Sequence, residues 1–124
     1  MAEAKGLSTG TSVNLPELLD RVDNDRELLR DLLSIFTEEF PRHFCALQEA
    51  VAGQDAKRVA VVSHTLKGML LNLAVTKAAG SAGQLELQAQ GGDPSLLQAA
   101  FAAFEHDVSG LLPEMATYLA EVQP

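Results

Sequence analysis

The chain has no tryptophan, one tyrosine, five phenylalanines and a single cysteine, Cys45, in 124 residues. One cysteine cannot form an internal bridge, so the fold must rest on its core, and a reduced cytoplasmic setting is expected. Cys45 itself reads as a small core residue. The sequence shows no secretory h-region and no apolar run of membrane-spanning length, so no membrane partner is expected. Basic residues are scarce: nine Lys and Arg stand against 17 Asp and Glu, for a net charge of -8. Without a Lys/Arg cluster to neutralise phosphates, nucleic acid and anionic membranes are disfavoured as partners. Three dispersed histidines and one cysteine lack metal-ligand spacing, so no metal site is expected, and Glu38-Glu39 is read as an acidic patch on a helix. Ser8 to Ser12 lacks the strand-to-helix context of a phosphate loop, and Gly91-Gly92 reads as a helix stop. No cofactor is therefore expected.

Strand-like alternation is missing as well, and what remains is rich in Ala and Leu at helical spacing. Residues 1 to 13 carry no periodic pattern and read as a flexible tail or linker remnant. Asn14-Leu15-Pro16 opens a short helix to about Arg21. Asp23-Asn24-Asp25 then starts a long one, with Leu29, Leu32, Leu33, Phe36, Phe40, Phe44, Leu47 and Val51 in its apolar stripe. Pro41 is expected to bend that helix rather than stop it, because the stripe continues. Gly53 ends it, and Asp55 caps a third helix to about Ala74. A fourth runs from Thr76 to Gly91-Gly92. Asp93-Pro94 starts a fifth, with a break expected around Ser109 to Pro113 before a last piece to Ala120. Within the fourth helix, Gly80 and Gly83 have two readings: they thin it for close packing on the third, or they only shorten it.

The fold expected is all-α: an antiparallel up-and-down four-helix bundle over residues 14–122, with a short additional N-terminal helix as a lid on one end.

The third helix carries the most informative stretch, His64-Thr65-Leu66-Lys67-Gly68. Positions i, i+3 and i+4 share a helix face, so Lys67 and Gly68 both neighbour the imidazole. At about 100° per residue, Val59, Val62, Met69, Leu70 and Leu73 lie within roughly 60° of Leu66 and form the core stripe. His64 and Gly68 fall roughly 160° away from that centre, one on each side of the opposite pole, and Lys67 at about 100°. The histidine is therefore expected to be exposed. Ala60, Val61, Leu71 and Val75 fall on the same outward side and would form an apolar collar suited to docking, with Lys57 nearly in line with His64. Between Gln54 and Gly80, four cationic residues (Lys57, Arg58, Lys67, Lys77) face only Asp55, a local charge of +3 that would attract an anion.

An exposed imidazole is largely neutral at cellular pH, so a ring nitrogen can act as a nucleophile without an external base. Attack on a phosphoryl group would give a phosphohistidine, with Lys67 neutralising its equatorial oxygens. Gly68 costs about 1 kcal/mol relative to alanine in mid-helix, and access for a partner is a reason to keep it. His43 and His106, which lack a Lys-Gly pair, read as surface or boundary residues.

The run Ser63-His64-Thr65-Leu66-Lys67-Gly68 with Asn72-Leu73 resembles the signature helix of histidine-containing phosphotransfer (HPt) domains of two-component phosphorelays. Phe36-Thr37-Glu38-Glu39-Phe40, the connection ending at Asp55 and Gln84-Leu85-Glu86 extend the resemblance over about residues 14 to 120. It implies that His64 is the phosphorylated residue and that Lys67 and Gly68 are the supporting lysine and glycine. It also implies response-regulator receiver domains and a hybrid sensor histidine kinase as partners, with any Mg²⁺ belonging to the receiver. The chain departs from the family where Met69 and Leu70 replace small residues after the glycine, and where Ala74 replaces the glycine after Asn-Leu.

The expectation is a monomeric phosphorelay carrier that takes a phosphoryl group on His64 from a receiver aspartyl phosphate and passes it to another receiver, with no ATP-dependent kinase activity of its own. A silent receiver-binding adaptor, or the phosphoacceptor domain of a chemotaxis-type kinase, are the alternatives.

Overall fold

Short polar side chains start the helices. In the computed structural model, which describes residues 13–121, six helices follow one another: α1 (Leu15–Arg21), α2 (Arg26–Ala52), α3 (Ala56–Asn72), α4 (Thr76–Gly91), α5 (Pro94–Val108) and α6 (Leu111–Glu121). Asn14 accepts from the Glu17 amide at 3.0 Å, Asp25 from Leu28 at 3.0 Å and Asp55 from Arg58 at 3.1 Å. Each satisfies a first-turn N–H that has no partner within its helix. Asp93 does the same for Ser95 and Leu96 ahead of Pro94. α2 runs unbroken through Pro41. The expected break after α5 falls at Ser109 and Gly110, and Pro113 sits in the first turn of α6.

Helix ends use the left-handed region. After α3, the Ala74 amide donates to Leu71 O and the Val75 amide to Leu70 O, the paired bonds of a Schellman cap with Ala74 at its left-handed position. Its φ of 59° explains why a glycine suits this position, one of the three where the chain departs from the HPt pattern. Gln54 (φ 55°) closes α2 in the same way, and Gly92 (φ 82°) ends α4.

The helices form an antiparallel bundle in which α3 packs between α2 and α4, α4 packs against α5, and the ring closes onto α2 mainly through α6. Phe36, Phe40 and Phe44 stack along α2, and Phe44 meets Phe101 and Phe104 of α5 at centroid distances of 6.1 Å. Leu29, Leu33, Leu47, Val59, Leu66, Leu70, Leu85, Phe104 and Met115 are sealed from solvent. α4 buries Ala78, Ala79, Ala82 and Ala89 with Leu85. Small side chains on that face let α3 and α4 approach closely, which brings side chains of the two helices into one site.

Several expectations change. Cys45 is exposed, one position round the helix from the inward Phe44. Leu32 is exposed beside the buried Leu33, and with Leu28 and Ile35 it forms an apolar stripe on the outside of α2. Val62 and Met69 are half-buried at the edge of the core stripe. Of the expected tail, only Val13 lies within the described residues. It is buried; its amide donates to Glu114 Oε2 and its carbonyl accepts from Tyr118 on α6. Residues 1–12 and 122–124 lie outside the described residues. Neither Gly80 nor Gly83 shortens α4; Gly80 is exposed, and Gly83 is half-buried against the Lys67 stem of α3.

Candidate functional site

His64 lies in the middle of α3 with its side chain 68% exposed. Its Nδ1 faces α4, where the Glu86 carboxylate lies 3.2 Å away. Lys67, one turn further along α3, donates from Nζ to Glu86 Oε1 at 3.1 Å. One carboxylate thus joins the imidazole and the ammonium. Burial pushes the Glu86 carboxyl up, but the hydrogen bonds and charges of Lys67 and then His64 outweigh it and hold the group below the ordinary glutamate value. Glu86 is therefore an anion at neutral pH, and a carboxylate beside Nδ1 accepts a hydrogen bond from an Nδ1–H. The tautomer this favours carries hydrogen on Nδ1 and leaves the Nε2 lone pair free. Behind the imidazole, Ser63 is buried and its hydroxyl donates to Val59 O at 2.6 Å, so its polar group is satisfied within α3. Gly68 is exposed, and a Cβ built on it would meet nothing within 4 Å.

The family model for the Hpt domain matches residues 31–123, three quarters of the chain. This chain belongs to the Hpt domain family. Hpt domains serve histidine phosphotransfer in two-component phosphorelays, and the helical bundle is the architecture of the family. Comparison with curated proteins and with solved structures finds no match. Among the described residues of this Hpt domain, no helix is long and apolar enough to cross a membrane.

The collar expected around the histidine is only partly present. Val61 and Leu71 are exposed, at 66% and 45%. Ala60 is half-buried against the core, because α4 covers that side of α3. Val75 is buried at 1%: the helix has ended at Asn72, so a helical wheel carried past that point misplaces it. Lys57 is exposed as expected. The apolar surface instead extends onto α2, where Leu32, Ile35 and Phe36 form a groove with Met69, Asn72 and Leu73 of the α3 end and Arg21 of α1. The local charge also changes. Arg58, Lys67 and Lys77 each have a carboxylate within 4.0 Å, from Glu49, Glu86 and Asp107. The +3 read along the segment is thus largely offset by neighbouring helices.

Glu86 is the residue that sequence reasoning missed as a functional group. Gln84-Leu85-Glu86 contributed to the family resemblance, but no local spacing links Glu86 to His64. Its position depends on how α4 is rotated against α3.

Proposed function

We propose that this Hpt domain is a phosphorelay carrier whose phosphoacceptor is His64. The observation that carries the reading is the exposed imidazole whose Nδ1 faces Glu86, with Lys67 held on the same carboxylate. Nε2 attacks the phosphorus of an aspartyl phosphate on a receiver domain. The N–P bond forms as the P–O bond to the aspartate breaks, and the aspartate leaves as a carboxylate. The imidazole keeps its Nδ1 proton and gains positive charge, which Glu86 stabilises across 3.2 Å. Lys67 is near enough to turn from Glu86 towards the phosphoryl oxygens. Passage to a second receiver is the same exchange in reverse.

Docking by a receiver is supported by the exposed Val61 and Leu71 beside the histidine and by the Leu28, Leu32 and Ile35 stripe on α2. The reaction as read needs no metal or cofactor from this chain, and Mg²⁺ belongs to the receiver. The domain acts as a monomer in the cytoplasm and receives its phosphoryl group from the receiver of a hybrid sensor histidine kinase.

The test is to incubate the chain with phosphorylated receivers of the same genome, with His64→Gln as control. Acid-labile, base-stable label on the wild type and none on the variant is the expected result. No label from any receiver would sink the carrier reading and favour an adaptor. Label only from a kinase catalytic domain would make this a chemotaxis-type phosphoacceptor.

A further inference from the structure

Gly83 lies in the middle of the 16-residue α4, where a glycine destabilises a helix relative to alanine. Neither a turn nor a positive φ calls for it. What lies against it is the stem of Lys67: a Cβ built at position 83 would stand 3.5 Å from Lys67 Cδ. Glu86, which holds the Lys67 ammonium at 3.1 Å, is one turn further along the same helix. To reach it from α3, the lysine stem crosses α4 at position 83.

We infer that Gly83 is a positioning residue: its missing side chain leaves the channel in which the Lys67 stem lies, and so keeps the ammonium on Glu86 beside His64. A lysine side chain loses much rotamer freedom when fixed, so a surface ion pair alone is a weak tether. Packing of the stem against bare backbone supplies the rest, and the Lys67 side chain is accordingly only 33% exposed. The 3.5 Å spacing is an ordinary van der Waals contact, so alanine fits at 83. A branch beyond Cβ does not, because it takes the space of the stem. Gly80, one turn earlier, provides the contrast. It is exposed, and a Cβ there would meet nothing within 4 Å.

The inference deepens the phosphotransfer reading and in one arm of its test rests on it; the other arm does not. In the isotopically labelled full chain, the Glu86 carboxyl is titrated by NMR in wild type, Gly83→Ala, Gly83→Val, Gly83→Leu and Gly80→Val. Both branched variants at 83 should raise the Glu86 midpoint towards the ordinary glutamate value, because the ammonium leaves. Gly83→Ala and Gly80→Val should titrate like wild type. In phosphoryl uptake from a receiver, Gly83→Val should lose as much kcat as Lys67→Met, at unchanged KM, with Gly83→Ala retaining the wild-type rate. An unchanged Glu86 titration in the branched variants overturns the inference, and so does an equal shift in Gly80→Val. A rise in KM alone also overturns it, since that would mark contact with the partner. If wild type takes up no label, the carrier reading fails, while the titration still decides whether Gly83 places Lys67.

Discussion

Replacing Gly68 by alanine separates what this position does for the fold from what it does for a partner. The residue is helical and exposed, and an added Cβ meets nothing within 4 Å. No clash opposes the change, so the free domain should gain the helix-propensity difference of about 0.5–1 kcal/mol. For a domain of this size that is a rise of roughly 2–4 °C in Tm. Transfer should move the other way. Gly68 lies beside His64 one turn along α3, on the face a receiver must approach for its aspartyl phosphate to reach Nε2. A methyl group forced into a packed interface costs about 1–3 kcal/mol, which is roughly a 5- to 150-fold loss of kcat/KM for a phosphorylated receiver. A small donor such as phosphoramidate needs no docked protein, so its rate with the variant should match wild type. Thermal unfolding, quenched-flow transfer from a radiolabelled receiver and labelling by the small donor give the three readings. Higher Tm with undiminished receiver transfer would refute the access argument. Equal losses with both donors would place the effect on His64 itself.

Other consequences can be measured separately. Glu86→Gln keeps an acceptor at Nδ1 but removes its charge; the difference between a charged and a neutral hydrogen bond is about 1 kcal/mol, so uptake should slow by roughly fivefold, and a faster rate would mean that release of Lys67 outweighs the loss. Gln54→Gly replaces a residue held at φ 55°; relief of a left-handed conformation costing about 1–2 kcal/mol, less the added chain entropy of glycine, should raise stability by about 0.5–1 kcal/mol in urea unfolding, and a loss would refute the strain argument. Tyr118 is the single tyrosine, and burial followed by the Glu114 charge raises its pKa. The stability this contributes is fully present below the ordinary phenol value near 10 and is lost as pH rises through the folded value, so the native phenolate absorbance should appear at higher pH than in urea, and Tyr118→Phe should remove that part of the alkaline stability loss.

The caps at Asn14, Asp25, Asp55 and Asp93 and the stop at Gly92 were legible because each is a local contest between a side chain and the backbone. The direction of His64 was legible for a similar reason: within one regular helix, 100° per residue fixes which side chains oppose the core. That fixed angle holds only while the helix lasts. Val75 was placed outward by extending the wheel beyond Asn72, but Ala74 has already turned the backbone to φ 59° and sends the next residue into the core.

Ala60 and Glu86 show a second limit, because both depend on how closely α4 lies against α3. The alanines at 78, 79 and 82 permit that approach. It covers Ala60 and brings Glu86 to His64 and Lys67. A sequence motif confined to α3 supplies a nucleophile and a cation, but not the anion that orders them. The site therefore belongs to the pair of helices. A change that separates α4 from α3 without touching His64, Lys67 or Gly68, such as Ala82→Leu on the buried face, should slow phosphoryl uptake while leaving the exposed face of α3 intact for a receiver. Equal uptake in that variant, with the bundle still folded, would show that the motif acts alone.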